Sequence, residues 1–374
     1  MSTELKVDTP ESVKAPSRLT WHGFKTVAKL ELMQKTRSAR WKLMLLLWFL
    51  GVGFICVLLA NTIALNSYSV TPVGGIIFGV TVYFILFMGL VITPTLSSTA
   101  VNGERENGTL AILQASLLTP LEITLGKLIA SWICAMAFLL ISLPFVFWAF
   151  AAGGVTAYSV VTSILVMSLI LLVVCAVSLY MSARMPKTSA STVMSYLFVV
   201  FVSILTVILM AVGAVTFTTE ERSQQYYPDT YNAQGVPTQC SINNYTTTRS
   251  QTEYLWGLLA LNPFVIVADA SSPASPNEYM FSDTDVFGQI SYFSRNLRQG
   301  VDAGYGDETT WCKPDGTVRT VEERKAFLES GTMGSAIWPY GLALHLLIGA
   351  GAVYGTQRRL QTPYKTLHKG VRIA

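Results

Sequence analysis

Residues 43–65 read LMLLLWFLGVGFICVLLANTIAL, a run without a single charge. An α-helix rises about 1.5 Å per residue, so about 20 mostly apolar residues cross a hydrocarbon core of about 30 Å. Five further stretches have the same character: Gly75–Leu96, Leu121–Phe150, Val155–Tyr180, Ser191–Phe217 and Ile337–Thr356. The sequence therefore predicts an all-α integral membrane protein with six transmembrane helices. Composition agrees, with 51% hydrophobic and only 13% charged residues. Soluble domains carry about 25% charged residues. The third and fifth stretches exceed the minimum, which implies tilt or protrusion. Residues 1–20 are polar and lack the apolar core of a secretory signal.

The net charge is only +4, but its distribution is uneven. Residues 1–42 carry 9 Lys and Arg, and 5 more follow Thr356. The connections after spans 2 and 4 contribute Arg105 with Lys127 and Arg184 with Lys187, whereas 66–73 and 151–156 carry none. Lys and Arg in short loops stay cytoplasmic, so both termini are expected inside. The basic balance reads as topology and contact with membrane lipids, with no nucleic acid as partner.

This places a cytoplasmic N-terminus at 1–42, spans 1–5 at 43–217, an extracellular region at 218–332, span 6 at 333–357 and a cytoplasmic basic tail at 358–374. Before span 1, Trp21, Phe24, Ala28 and Leu32 share one helical arc flanked by Lys25 and Lys29, the pattern of a helix in the inner interface. Pro94 in span 2 predicts a kink or a loosened last turn. Thr119-Pro120-Leu121-Glu122 is a helix start: Thr caps, Pro takes the first helical position, and Glu reaches back. The preceding segment, 104–118, reads as a separate short helix with Leu110, Leu113 and Leu117 on one side. Met185-Pro186-Lys187-Thr188 is a tight turn. The region 218–332 holds 8 Lys and Arg against 15 Asp and Glu and is expected to be a loop-rich outer domain between spans 5 and 6. Within it Tyr254–Ala270 is apolar enough for a surface helix, a dip into the membrane or a seventh crossing; the basic tail argues against the last. Cys240 and Cys312 form an even pair in this outer region and predict a disulfide. Cys56, Cys134 and Cys175 lie within spans and read as small buried hydrophobes.

Little in the chain suggests an enzyme. His22, His345 and His368 have no metal-ligand spacing, and no GxxxxGK[ST] phosphate loop exists, so the chain does not hydrolyse ATP by that route; if it is a pump, the motor is another polypeptide. The spans hold no central Asp or Glu of the kind an ion-coupled transporter uses. Asn61 and His345 are the polar candidates for lining a pathway. Gly75-x-x-x-Gly79 and Gly351-x-x-x-Gly355 would permit close helix approach, within the chain or in a dimer.

The run GERENGTLAILQASLLTPLEITLGKL, Gly103–Leu128, resembles the signature of ABC-2 type (type-2 ABC exporter) permease subunits, of actinobacterial character. The matching positions are Glu104, Arg105, Glu106, Gly108, Thr109, Leu110, Pro120, Gly126 and Lys127, with weaker similarity at Leu261-Asn262-Pro263-Phe264. The resemblance implies the membrane-spanning half of an ATP-driven exporter in a bacterial plasma membrane. A second permease copy or a sibling would complete the pathway, along spans 1, 2 and 5. An ABC ATP-binding subunit would hold ATP and Mg, with no cofactor in this chain. It implies that 104–118 is the coupling helix, with Glu104, Arg105, Glu106, Gly108, Thr109, Leu110, Leu113 and Leu117 at the ATPase interface. Cargo from drug or peptide to lipid or envelope precursor fits equally. A rival reading is an ATP-independent channel or sensor with an extracellular domain.

Overall fold

In the computed structural model, residues 20–66, 74–110, 118–233, 236–272, 286–299, 311–313, 315–330 and 334–361 are described. The chain opens with α1 (Trp21–Thr36), then α2 (Ala39–Asn66), α3 (Gly74–Ser97) and the short α4 (Asn102–Glu106). α5 (Pro120–Ala151) and α6 (Ala157–Arg184) form an antiparallel pair. The fifth stretch is α7 (Thr188–Val200), a π-helical turn (Phe201–Leu205) and α8 (Thr206–Thr216) in unbroken succession. Strands β1 (Thr218–Tyr231) and β2 (Pro237–Ser250) come next, then α9 (Trp256–Ala260), α10 (Pro263–Ser271), α11 (Val286–Gln299), α12 (Val321–Ser330) and α13 (Trp338–Gln361).

Five of these segments are long and apolar enough to cross a membrane: Ala39–Ile63, Gly74–Glu106, Pro120–Ala151, Ala157–Arg184 and Thr188–Thr216. The chain is thus a multi-pass membrane protein. The sixth expected span is the 24-residue α13, about 36 Å long. His345, Arg358 and Arg359 dilute its apolar content, and it is not among the five.

α6 sits at the centre: Ile170, Val174, Cys175 and Leu179 are each at most 1% exposed. α13 runs alongside it, and a methyl on Gly355 would meet the Tyr180 ring at 2.5 Å. That glycine therefore serves packing inside the chain. The edge helices are bare by contrast. Leu46, Leu47, Leu50 and Phe54 of α2 are exposed, as are Leu197, Ile204, Ile208 and Val212 of the fifth span. Trp48 fixes α2 to α5, its indole Nε1 donating to Phe138 O at 2.9 Å and Ser142 Oγ at 2.8 Å.

Two expectations for the outer region change. The stretch expected to be loop-rich begins with a long antiparallel hairpin, β1 pairing with β2 from Thr218 opposite Ser250 to Tyr231 opposite Pro237. Fourteen extended residues per strand reach about 45 Å. The ladder is a backbone property, and Thr-Glu-Glu-Arg-Ser-Gln-Gln is polar on both faces, so no alternation announces it. Cys240, near the hairpin tip, is disulfide-bonded to Cys312, 72 positions on. Second, Tyr254–Ala270 is not one helix. It breaks into α9 and α10, of 5 and 9 residues, each too short to cross a bilayer. α10 is sunk in the bundle against α6, with Ile266, Val267 and Ala268 fully buried.

Candidate coupling site at the α1 end

α1 forms because Thr20 caps it, its side chain accepting from Gly23 N at 3.3 Å. Gly23, Val27 and Glu31 recur every four residues and make its buried face. That face lies on the first turns of α5. Gly126 makes the approach possible, since a methyl there would stand 2.7 Å from Val27 Cβ. At the head of α5 the expected capping box is present: Glu122 N donates to Thr119 Oγ1 at 3.2 Å and Thr119 N donates to Glu122 Oε2 at 2.7 Å. Glu122 also receives Thr20 N at 2.6 Å, and the Thr20 hydroxyl. One carboxylate thus starts α5 and pins the start of α1.

At the other end of α1, Lys35 Nζ donates to Leu96 O at 2.8 Å and Ser131 Oγ at 2.7 Å. A cation here satisfies a carbonyl at the C-terminus of α3, where the helix dipole favours it. Burial pulls the Lys35 ammonium below the usual lysine value, and Glu31 partly offsets this.

Lys127 lies between these pins and is 1% exposed. Its ammonium is paired with Glu31 of α1 and, at 2.6 Å, with Glu104 Oε1 of α4. Three separate elements therefore meet on one buried charge. An ammonium taken from water needs such partners, and removing one of them costs more than the pair stabilises.

The start of α4 is tied to the bundle by neutral contacts. Val101 N and Asn102 N donate to Ser182 Oγ, whose hydroxyl donates to Asn102 Oδ1 at 2.9 Å. Asn102 Nδ2 donates to Ser191 Oγ at 2.8 Å. Glu106 accepts from Thr188 N at 3.1 Å, which caps α7 from outside, since Lys187 at its N-cap offers no side-chain acceptor.

The two halves of the signature run, 23 positions apart at Glu104 and Lys127, are thus joined in space. Residues 25–275 match the family model of ABC-2 family transporter proteins. The chain belongs to this family. No curated protein matches the sequence. An ABC-2 chain is the permease component of an ABC transporter and implies an ABC ATP-binding subunit as its partner. The match covers every element of the α1 end from Lys25 through α7.

The expected interface residues of the permease separate by role. Glu104, read as an outward contact, turns inward to Lys127, while Glu106 stays exposed and accepts from Thr188 N at the surface. Leu110 is 1% exposed and packs with Val101, Ile123, Leu128 and Leu179, so it anchors the segment. Arg105 is half-buried and has no side-chain partner among the described residues. Glu106, Asn107, Gly108 and Thr109 are exposed, with Gly108 at φ 73°, a left-handed turn that glycine adopts without strain. Leu113 and Leu117 lie outside the described residues.

Of the two candidate lining residues, Asn61 is exposed on α2, its amide donating to Val57 O at 2.9 Å. His345 is 1% exposed inside the chain, its Nδ1 2.9 Å from Gly341 O. Among the described residues no group of His, Cys, Asp or Glu is arranged to hold a metal ion.

Sequence reasoning missed Glu31, Lys35, Asp269 and Arg295. Glu31 is the single acidic residue of α1 and continues the four-residue spacing of Gly23 and Val27, which is a readable signal. Asp269 of α10 is 1% exposed, accepts from Ile337 N at 2.7 Å and Trp338 N at 2.8 Å, and is ion-paired with Arg295 of α11. It caps α13 from another helix, which local sequence does not reveal.

Proposed function

We propose that the chain is the membrane half of an ATP-driven exporter in which the 104–118 segment takes up the motion of a separate ATP-hydrolysing subunit. In this reading α13 is a sixth span, the α1 end is cytoplasmic and the hairpin end extracellular. ATP and Mg stay on the partner. The bare faces of α2 and of the fifth span meet a second permease copy or a sibling, and the cargo leaves between them.

One observation carries the proposal: buried Lys127 locks α4, α1 and α5 together through Glu104 and Glu31. A push on α4 is delivered through this shared charge to span 3 and to the interfacial helix as one unit. Such units suit rocking transitions. Arg105 and the exposed turn Glu106–Thr109 are the face left for a partner. Charge-assisted hydrogen bonds from an arginine suit a polar protein interface.

The test is capture of the ATPase by the permease from solubilised membranes, with ATP turnover measured on the complex. Arg105→Ala should leave the permease folded and weaken capture roughly 30-fold, the equivalent of about 2 kcal/mol for a lost charged contact. Capture and turnover equal to wild type would remove Arg105 from the interface.

A further inference from the structure

We infer that the fifth span is a two-piece lever with its joint at the π-helical turn Phe201–Leu205, and that Asn262 is the residue that positions this joint. The inference rests on the permease reading for what moves the lever, though not for the pin itself.

The two pieces have different attachments. α7 belongs to the coupling end: Thr188 is held by Glu106, Thr192 Oγ1 lies 2.9 Å from Ser98 Oγ, and the Ser191 hydroxyl donates to Ser98 O. It packs on α3 and α6. α8 belongs to the hairpin end. Gly213 seats Leu255, whose Cδ1 would be 2.6 Å from an added methyl, and Gln251 N donates to Phe217 O at 2.8 Å. Met210 joins an apolar cluster with Leu259, Ala260, Val265 and Ile337. Any motion carried from one end to the other along this span passes the turn between them.

That turn is irregular. Thr206 N donates to Phe201 O, five residues back, so it holds one residue more than an α-turn and shifts the register of α8 against α7. Such insertions disturb the backbone ladder and are frequent at functional sites. Asn262 meets the disturbed turn directly. Its Nδ2 donates to Ser203 O at 2.7 Å and to Thr206 Oγ1 at 3.0 Å. Its Oδ1 caps α10, accepting from Phe264 N at 2.9 Å and Val265 N at 3.4 Å. The side chain is 1% exposed, and each end of its amide has partners. One residue thus reads the state of the joint on one side and starts the buried helix α10 on the other. At the far end of α10, Asp269 caps the start of α13. The joint in the fifth span is therefore linked through α10 to the head of α13.

Asn262→Ser separates the two roles, because serine still caps α10 but is too short to reach Ser203 O. The full-length permease in lipid nanodiscs would be followed by amide hydrogen exchange. We expect exchange at 203–208 about tenfold faster in the variant, which loses both hydrogen bonds of Nδ2 to the turn, with 266–270 unchanged. Equal protection at 203–208 overturns the pin, and so does uniform loss across α10 and the bundle, which is what a merely structural residue would give. In the assembled complex, trapping the ATPase with ATP and vanadate should raise exchange at 201–208 in the wild type while α6 stays protected. No change there, in a complex that binds and hydrolyses ATP, overturns the lever and leaves the permease reading standing. Absence of any ATPase binding sinks the permease reading and the lever with it, while the nanodisc result still decides the pin.

Discussion

Glu104 Oε1 stands 2.6 Å from Lys127 Nζ, and the same ammonium is paired with Glu31. A charge that the sequence places on a short loop is therefore paired with a buried cation. The consequence is a division of labour along Glu104-Arg105-Glu106: the two carboxylates hold Lys127 and Thr188, and the half-buried Arg105 between them has no side-chain partner among the described residues.

Lys127→Met should be the most damaging substitution at the α1 end. It leaves Glu31 and Glu104 facing each other with no cation between them, a loss of about 3–5 kcal/mol for a broken buried pair. The expected readout is a lowered thermal midpoint and ready thiol labelling of Val27→Cys, which is 2% exposed in the native protein. Glu104→Gln keeps a hydrogen-bonding group and leaves the pair with Glu31, so about 1 kcal/mol is expected. Equal effects from the two substitutions would show that Lys127 does not organise the site.

Cys240–Cys312 closes a loop of 72 positions. On the chain-entropy model this stabilises the outer region by about 4 kcal/mol. Mass analysis of non-reduced peptides should find the pair linked. Cys240→Ser should raise proteolysis of 218–330 and leave the helices around α6 intact. Labelling of both thiols in native, non-reduced protein would refute the bridge.

Asp269 and Arg295 are 1% and 6% exposed, and Asp269 also caps α13. Asp269→Ala removes the carboxylate that faces the buried Arg295 guanidinium and both N–H groups at the head of α13, and should cost about 3–5 kcal/mol. Adding Arg295→Met removes the buried charge that has lost its carboxylate, so the double variant should recover part of that loss in a thermal unfolding series. A double variant worse than the single would mean that Arg295 has other partners of greater weight.

The sequence announces what is local and periodic. The apolar runs appear as helices, and Thr119-Pro120-Leu121-Glu122 forms its capping box, because each depends on residues within a few positions of each other. Asn262-Pro263 carries a similar cap-and-proline start, and it marks the break that makes Tyr254–Ala270 two helices. What stayed hidden is long-range. Glu31 meets Lys127 across 96 positions, and Asp269 reaches Ile337 across 68. The hairpin stayed hidden for another reason: Glu220, Arg222 and Gln224 alternate with residues just as polar, so neither face declares a core.

The central claim, that the Glu106–Thr109 turn is the docking face for the ATPase, is tested most directly by site-specific photo-crosslinking. A photoreactive residue would replace Asn107, exposed beside Arg105, or Tyr254, 78% exposed at the hairpin end. Irradiation of membranes holding the whole transporter should give an adduct between position 107 and a Walker-motif ATPase, and none from position 254. An ATPase adduct at 254, or none at 107 in a complex that hydrolyses ATP, would contradict the account.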